Sequence, residues 1–578
     1  MFSNPYIWIS ASVSSICCAI LYARNSAILK SDDQTANHSD EDYIYLQDIF
    51  DGDDAHRKIT ESSGTIDNLL IRLETFIKLR HDINSLKKSQ SNRFDESVRL
   101  ARSSNEIDIN SIKSLQKLPL KSENQILLVI DGKKRFFKLN ELMIHLLNIL
   151  IEQNQFNQCA NYWTRQALMF FDVESSHPFF DMFLSQEYDR QNNFDIRLKR
   201  YSSLYLQTML QNINTDRKLT NILINNGLLI VLQELRKKFN RNIDNDRLIS
   251  NCISALSFYK ESHKHLFHAG WIRVLAEWIH CDDWHLKLEA AKTLFNLDVE
   301  KSFLNPSVYI LSPIFKSNRN KFNCDIVFVH GLKGGVLKTW RQSDKMKASK
   351  IYTECWPESW LGKEFPNCRI WAINYESFIS SWNIVCSEDE FSIQDRSKRM
   401  VEELQMAGIG SKPIIWIAHS MGGLLVKYML SYLHSEFNQT HPILNQTKAI
   451  VFFSVPHQGS EMAVWSQNIE RLISPPSYVL ELRKDCPKLS MLNEEFIYLA
   501  KQKQIDCLSF GETKKCTLLK SPFEWKALLV PETSANPGYG KFILLPEDHF
   551  NICKPQSMES ESYKTLRDFV EKITDSLN

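Results

Sequence analysis

The sequence predicts an α/β C-terminal domain on a mostly parallel sheet, preceded by an all-α helical domain and an N-terminal transmembrane segment. Three observations carry this. From residue 321 onward, short apolar runs alternate with amphipathic segments, as strands covered by helices on both faces require. From 135 to 300 the apolar residues recur almost throughout at helical spacing. Residues 5–23 carry no charge at all.

Those nineteen residues, at 1.5 Å rise each, come close to spanning a hydrocarbon core of about 30 Å. No basic region precedes Ile7, which argues against a cleaved secretory signal. Arg24 and Lys30 are too few basic residues for an arginine-rich presequence, and a membrane anchor over 1–30 fits best. Nine acidic side chains and no Lys or Arg fall between residues 31 and 54. Such a tract repels itself and buries little, so 31–64 reads as a solvated linker.

Ile66, Leu69, Leu70, Leu73, Phe76 and Ile77 place a helix within 65–86. Further on, two stretches resemble each other: NGLLIVLQEL from Asn226 and AGWIRVLAEWI from Ala269. Their glycines, Gly227 and Gly270, lie 43 positions apart, within the armadillo and HEAT period. Each is followed by a second helix, at 248–259 and 285–297, so 65–304 is expected to form armadillo-like repeats. A non-repeating helical domain is the alternative.

The α/β domain is expected over 305–578. Strands are read at 324–329, 369–374, 414–417, 448–454, 505–510 and 526–530, with helices at 393–407 and 424–433. At 578 residues, 43% hydrophobic and with a formal net charge of +1, the chain is an ordinary multidomain globular protein with nothing to attract nucleic acid. Its thirteen cysteines are scattered without a C-x-x-C pair. A zinc site or disulfide framework needs paired spacing, so reduced thiols, and no metal or cofactor, are expected.

The chemistry centres on Ala418-His419-Ser420-Met421-Gly422, where an apolar strand runs into an amphipathic helix through a small-x-Ser-x-Gly turn. That is the setting of a nucleophile elbow, in which a tight, strained turn lifts the serine hydroxyl above a helix N-terminus. Ala418 stands where glycine is usual, a departure of one methyl. The fold expected is an α/β-hydrolase, with Ser420 as nucleophile. The Met421 backbone N–H would be one oxyanion donor, and Leu332, in the His330-Gly331-Leu332 turn after an early strand, the other. Chain order requires acid and then histidine after the serine. His434 and His441 come too early, and His457 sits in a turn that shapes the site, which leaves His549 as base. Glu512, at the end of the 505–510 strand, is the first candidate acid, Glu532 the second and Asp506 the third. Trp356, Trp360 and Phe365 either line an acyl groove or pack against the sheet.

The motifs FVHGL (328–332), CWPESWL (355–361), HSMGGLLVK (419–427), FFSVPHQGS (452–460) and DHFNICKP (548–555) together resemble the serine-active-site-containing lipase-like proteins. The resemblance is specific over about 320–575 and looser before that. It implies a serine lipase or acyltransferase on a phospholipid acyl ester, in phosphatidylglycerol remodelling with effects on cardiolipin and cholesterol handling. It also implies a mitochondrial membrane, at contacts with the endoplasmic reticulum. The partners expected are that lipid, the membrane reached through the N-terminal segment, and a protein on the helical repeats. The alternative is a catalytically inactive tether that works through the repeats alone.

Overall fold

The computed structural model describes residues 126–577 apart from 131–132, 154–163, 166, 169–193, 214–216, 240–241, 299–302, 315–321, 343–353, 376–391, 438–439, 461–480, 484–485 and 520–524. The expected anchor at 1–30, the linker at 31–64 and the helix at 65–86 lie outside these residues. Among the described residues no helix is long and apolar enough to cross a membrane.

A hairpin opens the described chain, β1 (Ile126–Ile130) against β2 (Lys133–Phe137), where the sequence reading had no strand before 321. The complete helices among the described residues that follow are α1 (Leu139–Gln153), α2 (Phe194–Ile213), α3 (Arg217–Asn225), α4 (Leu228–Lys238), α5 (Ile243–Ser257), α6 (Ser262–His268), α7 (Trp271–Ile279) and α8 (Trp284–Leu297). The internal similarity corresponds to two copies of one three-helix unit. In each, a short helix (α3, α6) ends at a left-handed glycine, Gly227 at φ 96° or Gly270 at φ 79°, which turns the chain into the second helix. A polar cap then starts the third. The Asn242 side chain accepts from the Asp244 and Asn245 N–H groups ahead of α5, and Asp283 accepts from the Leu286 N–H ahead of α8. Such caps satisfy N–H groups that the first helical turn leaves unpaired. The third helices α5 and α8 pack side by side.

The second architecture is a seven-stranded sheet in the order β11-β8-β7-β6-β4-β5-β3. Its strands are β3 (Val308–Ser312), β4 (Cys324–Val329), β5 (Cys368–Ile373), β6 (Ile414–His419), β7 (Thr447–Phe453), β8 (Asp506–Glu512) and β11 (Lys541–Leu545). All pair in parallel except β3, which runs antiparallel along β5 at the edge. Helices α9 (Ile393–Met406), α10 (Met421–Glu436) and α11 (Pro487–Lys503) bury one face, joining Leu404, Leu425 and Phe496 to Trp416 and Phe452. Helix α13 (Glu561–Asp575) covers the other face with Tyr563 and Leu566 against Phe328 and Ile417. Both faces of β4 and β6 are therefore dry, and their sequences are continuous apolar runs rather than alternating ones.

Three strand assignments differ from those expected, the first being β3, where no strand was read. The run expected at 526–530 forms only the short β10 (Trp525–Ala527), paired with β9 (Cys516–Leu519) in a separate ribbon. The last strand of the sheet is β11, a short, half-exposed run at the sheet edge. Trp356 and Trp360 are core residues. Trp356 meets Phe328 and Tyr563 edge-on, and its indole N–H donates to the Cys553 carbonyl at 3.2 Å. Phe365 packs on the same cluster.

Helix α8 is fastened to the sheet edge. Tyr309 of β3 donates to Glu289 at 2.6 Å, Lys292 donates to the Pro306 carbonyl at 2.6 Å, and Asn296 pairs with both backbone groups of Leu304. At the N-terminal end of the sheet the fully buried Asp325 accepts two bonds from Arg369, at 2.6 and 2.7 Å, and one from the Trp371 indole at 3.1 Å. Removing one charge of a buried pair strands the other. Asp325→Asn should therefore lower unfolding free energy by about 3 kcal/mol in urea titration, with no change in the active-site geometry at the opposite end of the strands.

Candidate active site

Parallel strands bring their C-terminal ends to one edge of a sheet, and side chains in the loops leaving that edge can converge. Ser420 is the first residue after β6, Glu512 the last of β8, and His549 lies four positions beyond the end of β11. Because β6, β7, β8 and β11 are successive neighbours, acid and base arrive on the same side of the serine. His549 Nε2 lies 3.0 Å from Ser420 Oγ, and His549 Nδ1 lies 2.6 Å from Glu512 Oε2. All three side chains are buried. The structure thus joins Ser420, Glu512 and His549 into one chain of hydrogen bonds.

Ser420 has φ 53° and ψ −129°, a conformation that a residue with a side chain holds only where its surroundings impose it. The imposing groups are close by. A Cβ on Gly422 would lie 2.3 Å from the His330 carbonyl oxygen, so the start of α10 rests directly on the backbone leaving β4. A Cβ on Gly331 would lie 2.7 Å from that of Ser420. The sequence motifs His330-Gly331 and Met421-Gly422 are thereby one contact. Leu332 lies in the turn after β4, which pairs with β6 on the edge opposite β7, and Met421 is the first residue of α10.

His330 organises that turn. Its Nδ1–H donates to the Gly331 carbonyl at 2.8 Å, and its Nε2 accepts from the Tyr375 N–H at 3.2 Å. The Tyr375 ring stacks on the imidazole with centroids 4.4 Å apart, while its hydroxyl donates to the His330 carbonyl at 2.6 Å. Burial pulls the His330 imidazole down to about 4, so it stays neutral and keeps both bonds.

Glu512 accepts four hydrogen bonds. Oε1 takes the N–H groups of Leu529 and Val530 at 2.8 and 3.1 Å, and Oε2 takes His549 and the Ser454 hydroxyl. Burial alone would raise this carboxyl. The positive charge available on His549, with the bonds from His549, Ser454 and Val530, outweighs burial and holds it below the ordinary value. Glu532 is exposed and starts the short helix α12 (Glu532–Ala535), and Asp506, at the opposite end of β8, pairs with Lys572 at 3.2 Å. Neither contacts His549 among the described bonds.

His419, His441 and His457 have other partners, while His434, in the last turn of α10, has none for its Nδ1 among the described residues. His419 Nε2–H donates to the His549 backbone carbonyl at 2.9 Å, so the residue before Ser420 holds the loop that carries His549; burial keeps its imidazole far below the usual value. His441 faces Gln405 at 2.9 Å. His457 lies beneath α10, where the Lys427 amine contacts its Nδ1 at 2.7 Å and Asn493 Oδ1 at 2.5 Å. Burial pushes both Lys427 and His457 well below their ordinary values. The P-H-Q-G turn therefore supports the elbow helix from below and puts no imidazole into the reaction. Ser454, His419 and Tyr375 were not among the residues picked out from sequence, because their partners lie far away along the chain.

No family model matches the chain. Proteins named SERAC1 do: the one from Danio rerio is 37% identical over 390 residues, covering 64% of this chain and 58% of its own, and the one from Homo sapiens 35% identical over 355 residues, covering 60% and 54%. The chain thus spans little more than half the length of these relatives. Among solved structures, phospholipase PlaB from Legionella pneumophila is 14% identical with a TM-score of 0.31, covering 44% of this chain and 64% of its own. The mature lipase BlEst2 from Bacillus licheniformis is 15% identical with a TM-score of 0.28, covering 45% and 97%. Likeness at that level carries no argument here, and the α/β-hydrolase fold rests on the sheet order and the elbow. Over the length they share, the chain is similar to the SERAC1 proteins, and its motifs resemble the serine-active-site-containing lipase-like family.

Proposed function

We propose that this chain is a serine hydrolase of lipid acyl esters, in which Ser420 attacks the acyl carbonyl. His549 takes its proton and returns it to the leaving alcohol, Glu512 holds the imidazole's tautomer, and the N–H groups of Leu332 and Met421 receive the oxyanion. The observation that carries this reading is the unbroken Ser420–His549–Glu512 hydrogen-bond chain at a strained elbow. A second acyl acceptor in place of water would make the same acyl-enzyme a transacylase.

The finer reading rests on the family: a glycerophospholipid substrate, phosphatidylglycerol remodelling with effects on cardiolipin and cholesterol handling, and a mitochondrial membrane at contacts with the endoplasmic reticulum. The charge-free run at 5–23 supports attachment through the N-terminal segment. The paired three-helix units support armadillo-like repeats and a protein partner on them. Full-length protein on vesicles of phosphatidylglycerol should release or transfer acyl chains, and Ser420→Ala should do neither. Equal acyl turnover by wild type and Ser420→Ala would contradict the reading. An inert wild type would leave the helical region as the working part of a tether.

A further inference from the structure

Ser454 is the first residue beyond β7, and the chemistry of a serine–histidine–glutamate triad requires no hydroxyl there. It is fully buried and held at φ 47°, a left-handed conformation disfavoured for any residue with a Cβ. Its N–H donates to the Phe510 carbonyl at 2.8 Å, which fixes it against β8. From that position Oγ donates to Glu512 Oε2 at 2.5 Å, the same oxygen that faces His549 Nδ1. With Oε1 taken by two backbone N–H groups, each carboxylate oxygen accepts two bonds, its full capacity. Ser420 repeats the arrangement one strand over: first residue after β6, φ 53°, N–H to the Phe453 carbonyl at 2.9 Å. The fold builds the same strained serine turn twice on adjacent strands. One turn presents a hydroxyl to the base, and the other aims a hydroxyl at the acid.

We propose that Ser454 is a positioning residue for the reaction, fixing Glu512 Oε2 where it orients His549. This rests on the reading of Ser420 as nucleophile. Two backbone donors hold Oε1, but only Ser454 and His549 hold Oε2. Without the hydroxyl the carboxylate pivots about its last bond, and the imidazole loses its fixed orientation. The deprotonated Glu512–His549 pair also loses a donor, so it takes up a proton at higher pH. A serine that merely satisfied its own hydroxyl would affect stability and leave the proton chemistry unchanged.

The test is the pH dependence of kcat/KM for full-length wild type, Ser454→Ala and Ser454→Gly on a short-chain p-nitrophenyl ester. It is accompanied by fluorophosphonate labelling of the wild type. Glycine removes the hydroxyl and the backbone strain together, so a folding defect and a positioning defect separate. Both variants should lose about tenfold in kcat at nearly constant KM. Both should also show the acid limb of the profile moved up by about half a pH unit. Wild-type rate and acid limb in Ser454→Gly would overturn the proposal while leaving a labelled, active wild type and its nucleophile intact. A lower rate with an unmoved acid limb would overturn it too. A wild type that neither labels nor turns over would overturn the nucleophile reading, and this one with it.

Discussion

Ser420→Ala and His549→Ala should each lose on the order of 10⁶ in turnover of an ester substrate, and the double variant should be no slower than either. The two groups act on one proton across a 3.0 Å hydrogen bond, so once one is gone the other has nothing to exchange. Glu512→Gln should fall by on the order of 10⁴, and the reason lies in its four donors. In the variant the Leu529 and Val530 N–H groups claim the amide oxygen, which leaves the amide NH₂ facing His549 Nδ1. That NH₂ can only donate, so it forces the proton onto Nε2, where it blocks acceptance from Ser420. Glu532→Gln should match wild type, because Glu532 is exposed. Steady-state kinetics on wild type and the five variants checks all of this. A crippled Glu532→Gln beside a normal Glu512→Gln would place the acid one element later.

The second large effect is on stability. His330, His419 and His457 are buried, and burial lowers all three imidazoles, His330 to about 4. A folded chain that refuses a proton is penalised wherever the unfolded chain accepts one, here below an unfolded value of about 6.5. Their stability is therefore fully present above that pH and is lost as pH falls toward the folded values. From pH 7.5 to 5.5 the three histidines together should cost a few kcal/mol, on the order of 1 kcal/mol each. The Glu512 carboxyl titrates below the ordinary carboxylate value and stays outside this window. Urea midpoints at the two pH values check the sign and the size. Equal midpoints would mean that these imidazoles are not held neutral.

Central features of the fold were legible from sequence for a physical reason. β4, β6 and β7 are buried on both faces, so their runs CDIVFV, IIWIAH and TKAIVFF stand out without alternation. β3 and β11 sit at the two edges of the sheet as runs of only four apolar residues, VYIL and FILL, and they were not read. The Ser420–His549–Glu512 hydrogen-bond chain was legible because chain order and strand ends place its members, and Glu512 ends a strand that the sequence marks clearly. Ser454 was not, since its hydroxyl finds Glu512 only through the lateral pairing of β7 with β8. Order along the chain does not state which strands lie side by side. His330 was read only as part of a glycine-rich turn, because its partners Asn374 and Tyr375 lie at the end of β5.

The most direct test of the account is fluorophosphonate labelling of full-length wild type at pH 7.5, with the adduct located by mass spectrometry. A single adduct on Ser420, abolished in Ser420→Ala and His549→Ala and retained in Glu532→Gln, is the expected result. An unlabelled wild type, or an adduct that persists in Ser420→Ala on another residue, would contradict it.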